Sequence, residues 1–62
     1  MDIQQKRELS NNILRSLFGE KQIAKWWQSP NKAFNLQKPE DVWQTNSDKI
    51  FNYLKLQISK DY

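Results

Sequence analysis

The 62-residue chain contains neither histidine nor cysteine, so imidazole bases, thiolate nucleophiles and the common zinc ligand sets are absent from its chemistry. Carboxylates, lysines and tyrosines are what remain. The adjacent pair Glu40 and Asp41 diverges by about 100° on a helix, and its place directly after Pro39 is explained by the attraction of a helix N-terminus for negative charge. Tyr53 and Tyr62 have no sequence neighbour that would activate a phenol. Neither catalysis nor a cofactor is expected. The distinctive chemistry is aromatic and lies in "KWWQSPNKAF", where Trp26 and Trp27 stand side by side ahead of Pro30, Asn31 and Phe34. Adjacent helical side chains point about 100° apart. Either both indoles are wrapped into a core, or one is left partly exposed beside Phe51, Tyr53 or Leu56 as an anchor for a partner.

The elements that would position these rings read as helices. Ile3, Leu9, Ile13, Leu14, Leu17 and Phe18 recur at spacings of three and four, which predicts a first helix over residues 3–18 with one apolar face and polar early turns that fray. Gly19 supplies a residue able to end it. A second helix is predicted to begin with Glu20 in its first turn, with Ile23, Ala24 and Trp27 on its inner face. Ser29 before Pro30 reads as the cap and first residue of a helical turn reaching Phe34. Pro39 opens another, turning Val42 and Trp43 inward. Thr45 stands three residues before Asp48, close to a capping box. The last helix is predicted from about Ser47 to Lys60. Ile50, Leu54 and Ile58 form its inner stripe, and Phe51 and Leu56 broaden the apolar surface.

One glycine and two prolines leave room only for short connections. The expected architecture is all-α, a compact single domain of four to five short helices. A chain of this length buries only about 60% of its unfolded surface, so its stability should be modest. The N-terminus lacks the pattern of a signal peptide and no apolar run has the length of a membrane span, so a soluble, cytoplasmic protein is expected. Ten Lys/Arg face seven Asp/Glu for a net charge of +3. The basic residues form no run and read as a solvated surface ahead of a nucleic-acid track.

The order Trp26, Trp27, Pro30, Asn31, Ala33, Phe34, Pro39, Val42, Trp43 resembles the C-terminal toxin-binding domain of the Xre/MbcA/ParS family of bacterial antitoxins. That pattern has a tryptophan and an aliphatic residue, Pro-Asn, a small residue, a leucine, a glycine pair, and a second proline followed by two aliphatics. The likeness spans residues 20–58, with Ile50, Leu54 and Ile58 similar to the apolar positions of the family's final helix; residues 1–19 form the preceding helix. Asn35 and Leu36 stand where the glycine pair is common, and Asn46 stands near another usual glycine. The helix-turn-helix domain that commonly precedes this module has no counterpart here.

The resemblance implies a protein partner of the RES class, enzymes that destroy or transfer parts of NAD, neutralised by covering the entrance to their active site. It points to the end of the last helix, where Tyr53, Lys55, Leu56, Gln57, Lys60 and Tyr62 are the expected contact residues, chosen for their outward direction. Trp26, Trp27, Pro30, Asn31, Phe34, Pro39, Val42 and Trp43 are read as setting the fold. Two other readings stand beside this one. The first is a small nucleic-acid-binding or transcription-associated protein, which should gather four or more Lys/Arg on one helix face. The second is a structural module that associates with its own copy through apolar surface.

Overall fold

The first helix starts where the side chains offer a cap. In the computed structural model, which describes residues 2–59, Asp2 Oδ1 accepts from the Gln5 amide at 2.8 Å, and Gln5 Oε1 accepts from the Asp2 amide at 3.3 Å. This reciprocal box caps the polar first turn of α1 (Ile3–Phe18). Only part of the predicted apolar face is covered: Leu14 is fully buried and Ile13 and Leu17 are half-buried, whereas Ile3, Leu9 and Phe18 are exposed. The reason is size. A helix in so small a bundle meets its neighbours along one narrow stripe, here Ser10 and Leu14, and Ser10 satisfies its buried hydroxyl by donating to the Lys6 carbonyl at 2.8 Å.

Gly19 closes α1 by donating its amide to the Arg15 carbonyl at 2.9 Å. Its φ of 90° and ψ of 160° lie in a region that is essentially reserved for glycine. A Cβ added there would meet no atom within 4 Å, so replacement acts through the backbone alone. Gly19→Ala should destabilise the domain by about 1–2 kcal/mol, read as a lower midpoint in urea with an unchanged slope. The chain then makes a 3₁₀ turn over Glu20–Gln22 before α2 (Ile23–Gln28), so the second helix starts later than predicted. Trp27 is buried and Ile23 half-buried, but Ala24 is exposed.

Pro30 does not open a helix. Ser29 Oγ donates back to the Lys25 carbonyl at 2.7 Å, closing α2, and Asn31 is itself extended at φ −129°, ψ 127°. The cap of the following 3₁₀ turn (Lys32–Phe34) is Asn31, whose Oδ1 accepts from the Ala33 amide at 2.9 Å. The segment is then folded into a tight loop. Asn31 donates its amide to the Gln37 carbonyl, and Leu36 donates its amide to the Asn31 carbonyl at 2.9 Å. That closure requires positive φ at two successive residues, Asn35 at 56° and Leu36 at 66°. Asparagine tolerates this; leucine does not. Leu36 is also 64% exposed, so little packing is lost on its removal. Leu36→Gly should therefore raise the thermal midpoint by a few degrees, the relief of left-handed strain of about 1–2 kcal/mol being partly offset by glycine's greater unfolded-state entropy.

Pro39 is the first residue of α3 (Pro39–Thr45), followed by Glu40 and Asp41 in the first turn, with Val42 and Trp43 buried as predicted. The Thr45–Asp48 capping box is not formed. Thr45 is still helical and its hydroxyl donates to the Val42 carbonyl, while Asn46 Oδ1 accepts from the Lys49 amide at 3.3 Å. Asn46 thus caps α4 (Ser47–Ser59). Among the described residues, four α-helices and two 3₁₀ turns make one compact all-α globule. Its core is Leu14, Trp27, Phe34, Val42, Trp43, Ile50 and Leu54. Ile58, expected inside, is 38% exposed, at the edge of a shallow groove that it lines with Ile13 and Ser16 of α1. Among the described residues no helix is long and apolar enough to cross a membrane.

Candidate partner-binding surfaces

The two tryptophans take different roles. Trp27 is 3% exposed and its Nε1–H donates to Asn11 Oδ1 at 2.8 Å. Trp43 meets it edge-on with ring centres 5.4 Å apart. Trp26 is half-buried, packed at right angles against Trp27 at 5.1 Å and Phe34 at 6.4 Å. The partly exposed indole is therefore Trp26, and its neighbour across the open side is Phe18 rather than Phe51, Tyr53 or Leu56.

Of the contact residues expected on the last helix, Leu56 is the one that stands out, 61% exposed on the solvent side of α4. Tyr53, three residues back, is its neighbour by helical geometry, and Gln57, one ahead, diverges by about 100° and lies beside Tyr53 four residues on. Both are half-buried. Tyr53 does not point outward as predicted, because its ring packs against Phe34 with centres 5.0 Å apart. Lys55 is exposed on the opposite flank, its ammonium 4.8 Å over the Phe51 ring, so it does not join Leu56. Lys60 and Tyr62 lie outside the described residues. On the Lys55 flank, Leu9, Ile13, Phe51 and Ile58 line a shallow apolar groove between α1 and α4.

A third surface is a polar cleft over Arg7, Asn11, Arg15, Glu20, Gln28 and Glu40, and its charges answer one another. Arg15 pairs with Glu20. Arg7 makes a two-pronged bond to Glu40, at 3.1 and 2.8 Å, while its guanidinium carbon sits 3.7 Å from the centre of the Trp27 ring and 5.3 Å from that of Trp43. That hydrogen bond, opposed by partial burial and aided by the positive charge and by Gln44, holds the Glu40 carboxyl below its ordinary range. Lys6 reaches Asp48 at 2.5 Å and lowers that carboxyl in the same way, first through its hydrogen bond and then through its charge. Two basic residues read from sequence as solvated surface thus tie α1 to α3 and to α4. Spacing could not reveal it, since Arg7 and Glu40 are 33 residues apart.

Among the described residues no cluster of three or more acidic side chains is arranged to hold a metal ion. Comparison of the chain with protein-family models, with curated proteins and with solved structures finds no match in any of the three.

Proposed function

We propose that this chain is a protein-binding module without catalytic chemistry of its own, which neutralises an NAD-consuming enzyme of the RES class by covering its active-site entrance, as the toxin-binding domain of Xre/MbcA/ParS antitoxins does. The observation that carries the reading is the loop between Pro30 and Pro39. At Asn35 and Leu36, where the antitoxin pattern has its glycine pair, the backbone holds two consecutive positive φ angles. A leucine kept in a conformation natural to glycine is hard to explain by local propensity, and it supports descent from the same loop. The contact surface in this reading is the Leu56 strip of α4, with Tyr53 and Gln57 as its partly buried base.

Leu56→Glu tests it. The side chain is exposed, so the thermal midpoint should move by no more than about 2–4 °C. Inhibition of an NAD-consuming enzyme captured from the native host should fall by tenfold or more, about 1.4 kcal/mol or greater. Capture that recovers only chromosomal DNA, or an enzyme the chain does not inhibit, would end this reading. Self-association is the reading favoured by the Leu9, Ile13, Phe51 and Ile58 groove. It requires a sedimentation coefficient that rises with concentration.

A further inference from the structure

Residues 21–39 carry four lysines and no carboxylate, so this stretch alone has a charge of +4 against +3 for the whole chain. Three of the six acids among the described residues are held by cations outside this stretch. Glu20, Glu40 and Asp48 are engaged by Arg15, Arg7 and Lys6, and Asp2 caps α1. Lys21, Lys25, Lys32 and Lys38 make no ion pair among the described residues. Within the same stretch opens a mainly apolar groove. Phe18, 53% exposed at the end of α1, faces Trp26 across it, and Gln22, Lys25 and Ser29 line the α2 side. Trp26 is fixed from behind by Trp27 and Phe34, so its open face needs little ordering on binding. Its Nε1–H has no hydrogen-bond partner among the described residues, and no buried side-chain donor is left unpaired among them, which places that N–H in reach of solvent.

We propose that the Phe18–Trp26 groove is a docking site for an acidic protein segment, one that presents an apolar side chain flanked by aspartate or glutamate. The apolar side chain lies between the two rings. A carboxylate takes the Lys25 ammonium and the Trp26 N–H. Lys21 lies one helical turn before Lys25, and Lys32 and Lys38, on the loop that adjoins Trp26 through Phe34, add a field that draws such a segment in. Nucleic acid fits less well. Phosphate binding uses a track of several cations, whereas only Lys25 lines this groove, whose remaining surface is chiefly ring and methylene. None of the Leu56 strip takes part, so this site is independent of the toxin reading.

The test uses the isotope-labelled full chain and a synthetic helical peptide of ~16 residues with leucines on one face bordered by glutamates. The acidic peptide should shift the Trp26 indole N–H and the amides of Gln22, Lys25 and Ser29, and its affinity should fall several-fold between ~50 and ~200 mM salt. Lys25→Glu, at an exposed position, should weaken binding about tenfold, and Leu56→Glu should leave it unchanged. The proposal is overturned by any of four results: no shift at these resonances, shifts centred on Phe51 and Ile58, equal binding of the lysine counterpart of the peptide, or tighter binding of single-stranded or duplex DNA at the same residues. Self-association that moves the same resonances without peptide would also overturn it, naming a second copy as the occupant.

Discussion

Trp27→Ala should leave the domain largely unfolded at room temperature. Truncating a buried tryptophan costs about 3–5 kcal/mol, and a chain of this length has a total stability of about 3–9 kcal/mol at the usual per-residue figure. The loss here falls at the upper end for structural reasons. The Trp27 ring is 3% exposed, and it is the contact point of four groups: Trp26 and Trp43 meet it edge-on, the Arg7 guanidinium lies over its face, and Asn11 accepts from its N–H. Alanine removes the ring from all four and leaves a cavity that short helices on three sides cannot close. Trp27→Phe separates packing from hydrogen bonding. It keeps an aromatic face for Arg7 and Trp43 but leaves Asn11 without its donor, for an expected cost of about 1–3 kcal/mol. Circular dichroism in urea would rank the two, with Trp26→Ala as the reference: Trp26 is half-buried and should cost clearly less. Equal losses at positions 26 and 27 would contradict the division of roles between the two indoles.

That division was only half legible in the sequence. Adjacent helical residues must diverge, so one indole had to be more exposed; which one depends on whether α1 lies over the face of Trp27, and this is a tertiary fact. The helices themselves were readable because Leu14, Ile50 and Leu54 sit on period, and because Pro39 with Glu40 and Asp41 is an unambiguous helix start. Caps are not legible in the sequence where two polar residues compete. At Ser29 and Asn31, and again at Thr45 and Asn46, the hydroxyl closes the preceding helix by donating backward to a carbonyl, and the asparagine caps the next turn. Either residue type is acceptable to local propensity, so local reasoning had no means to choose. The Asp2–Gln5 box is legible in the sequence, an aspartate three residues before a glutamine. The Phe18–Trp26 groove combines a readable signal, the absence of carboxylates from 21 to 39, with an unreadable one: the register that leaves the end of α1 uncovered beside α2.

Arg7 is the side chain whose loss should most change how the domain responds to acid. It holds Glu40 by two bonds, with both side chains a little under one-third exposed, and it roofs Trp27. Arg7→Ala removes the charge-assisted bonds, the cation–π contact and the covering stem together, for an expected cost of about 2–3 kcal/mol at neutral pH. Arg7→Met keeps a stem over the indole and should cost less, so the difference between the two variants reads the packing share. The pH dependence follows from the lowered Glu40 carboxyl. The unfolded chain takes up its proton near the ordinary glutamate value of 4.5, the folded chain only at lower pH. Stability from the pair is therefore fully present above that value and is lost as pH falls through the lower, folded one. Asp48, held down by Lys6, acts in the same direction. Wild type should accordingly lose stability below about pH 4.5, and Glu40→Gln should show a shallower acid limb to which Asp48 still contributes. Adding Arg7→Met to Glu40→Gln should cost less than Arg7→Met does alone, because no unpaired carboxylate is then left against the ring. Superimposable acid limbs for wild type and Glu40→Gln would show that the clamp does not govern acid unfolding and would leave Arg7 only its part as a cover over the indoles.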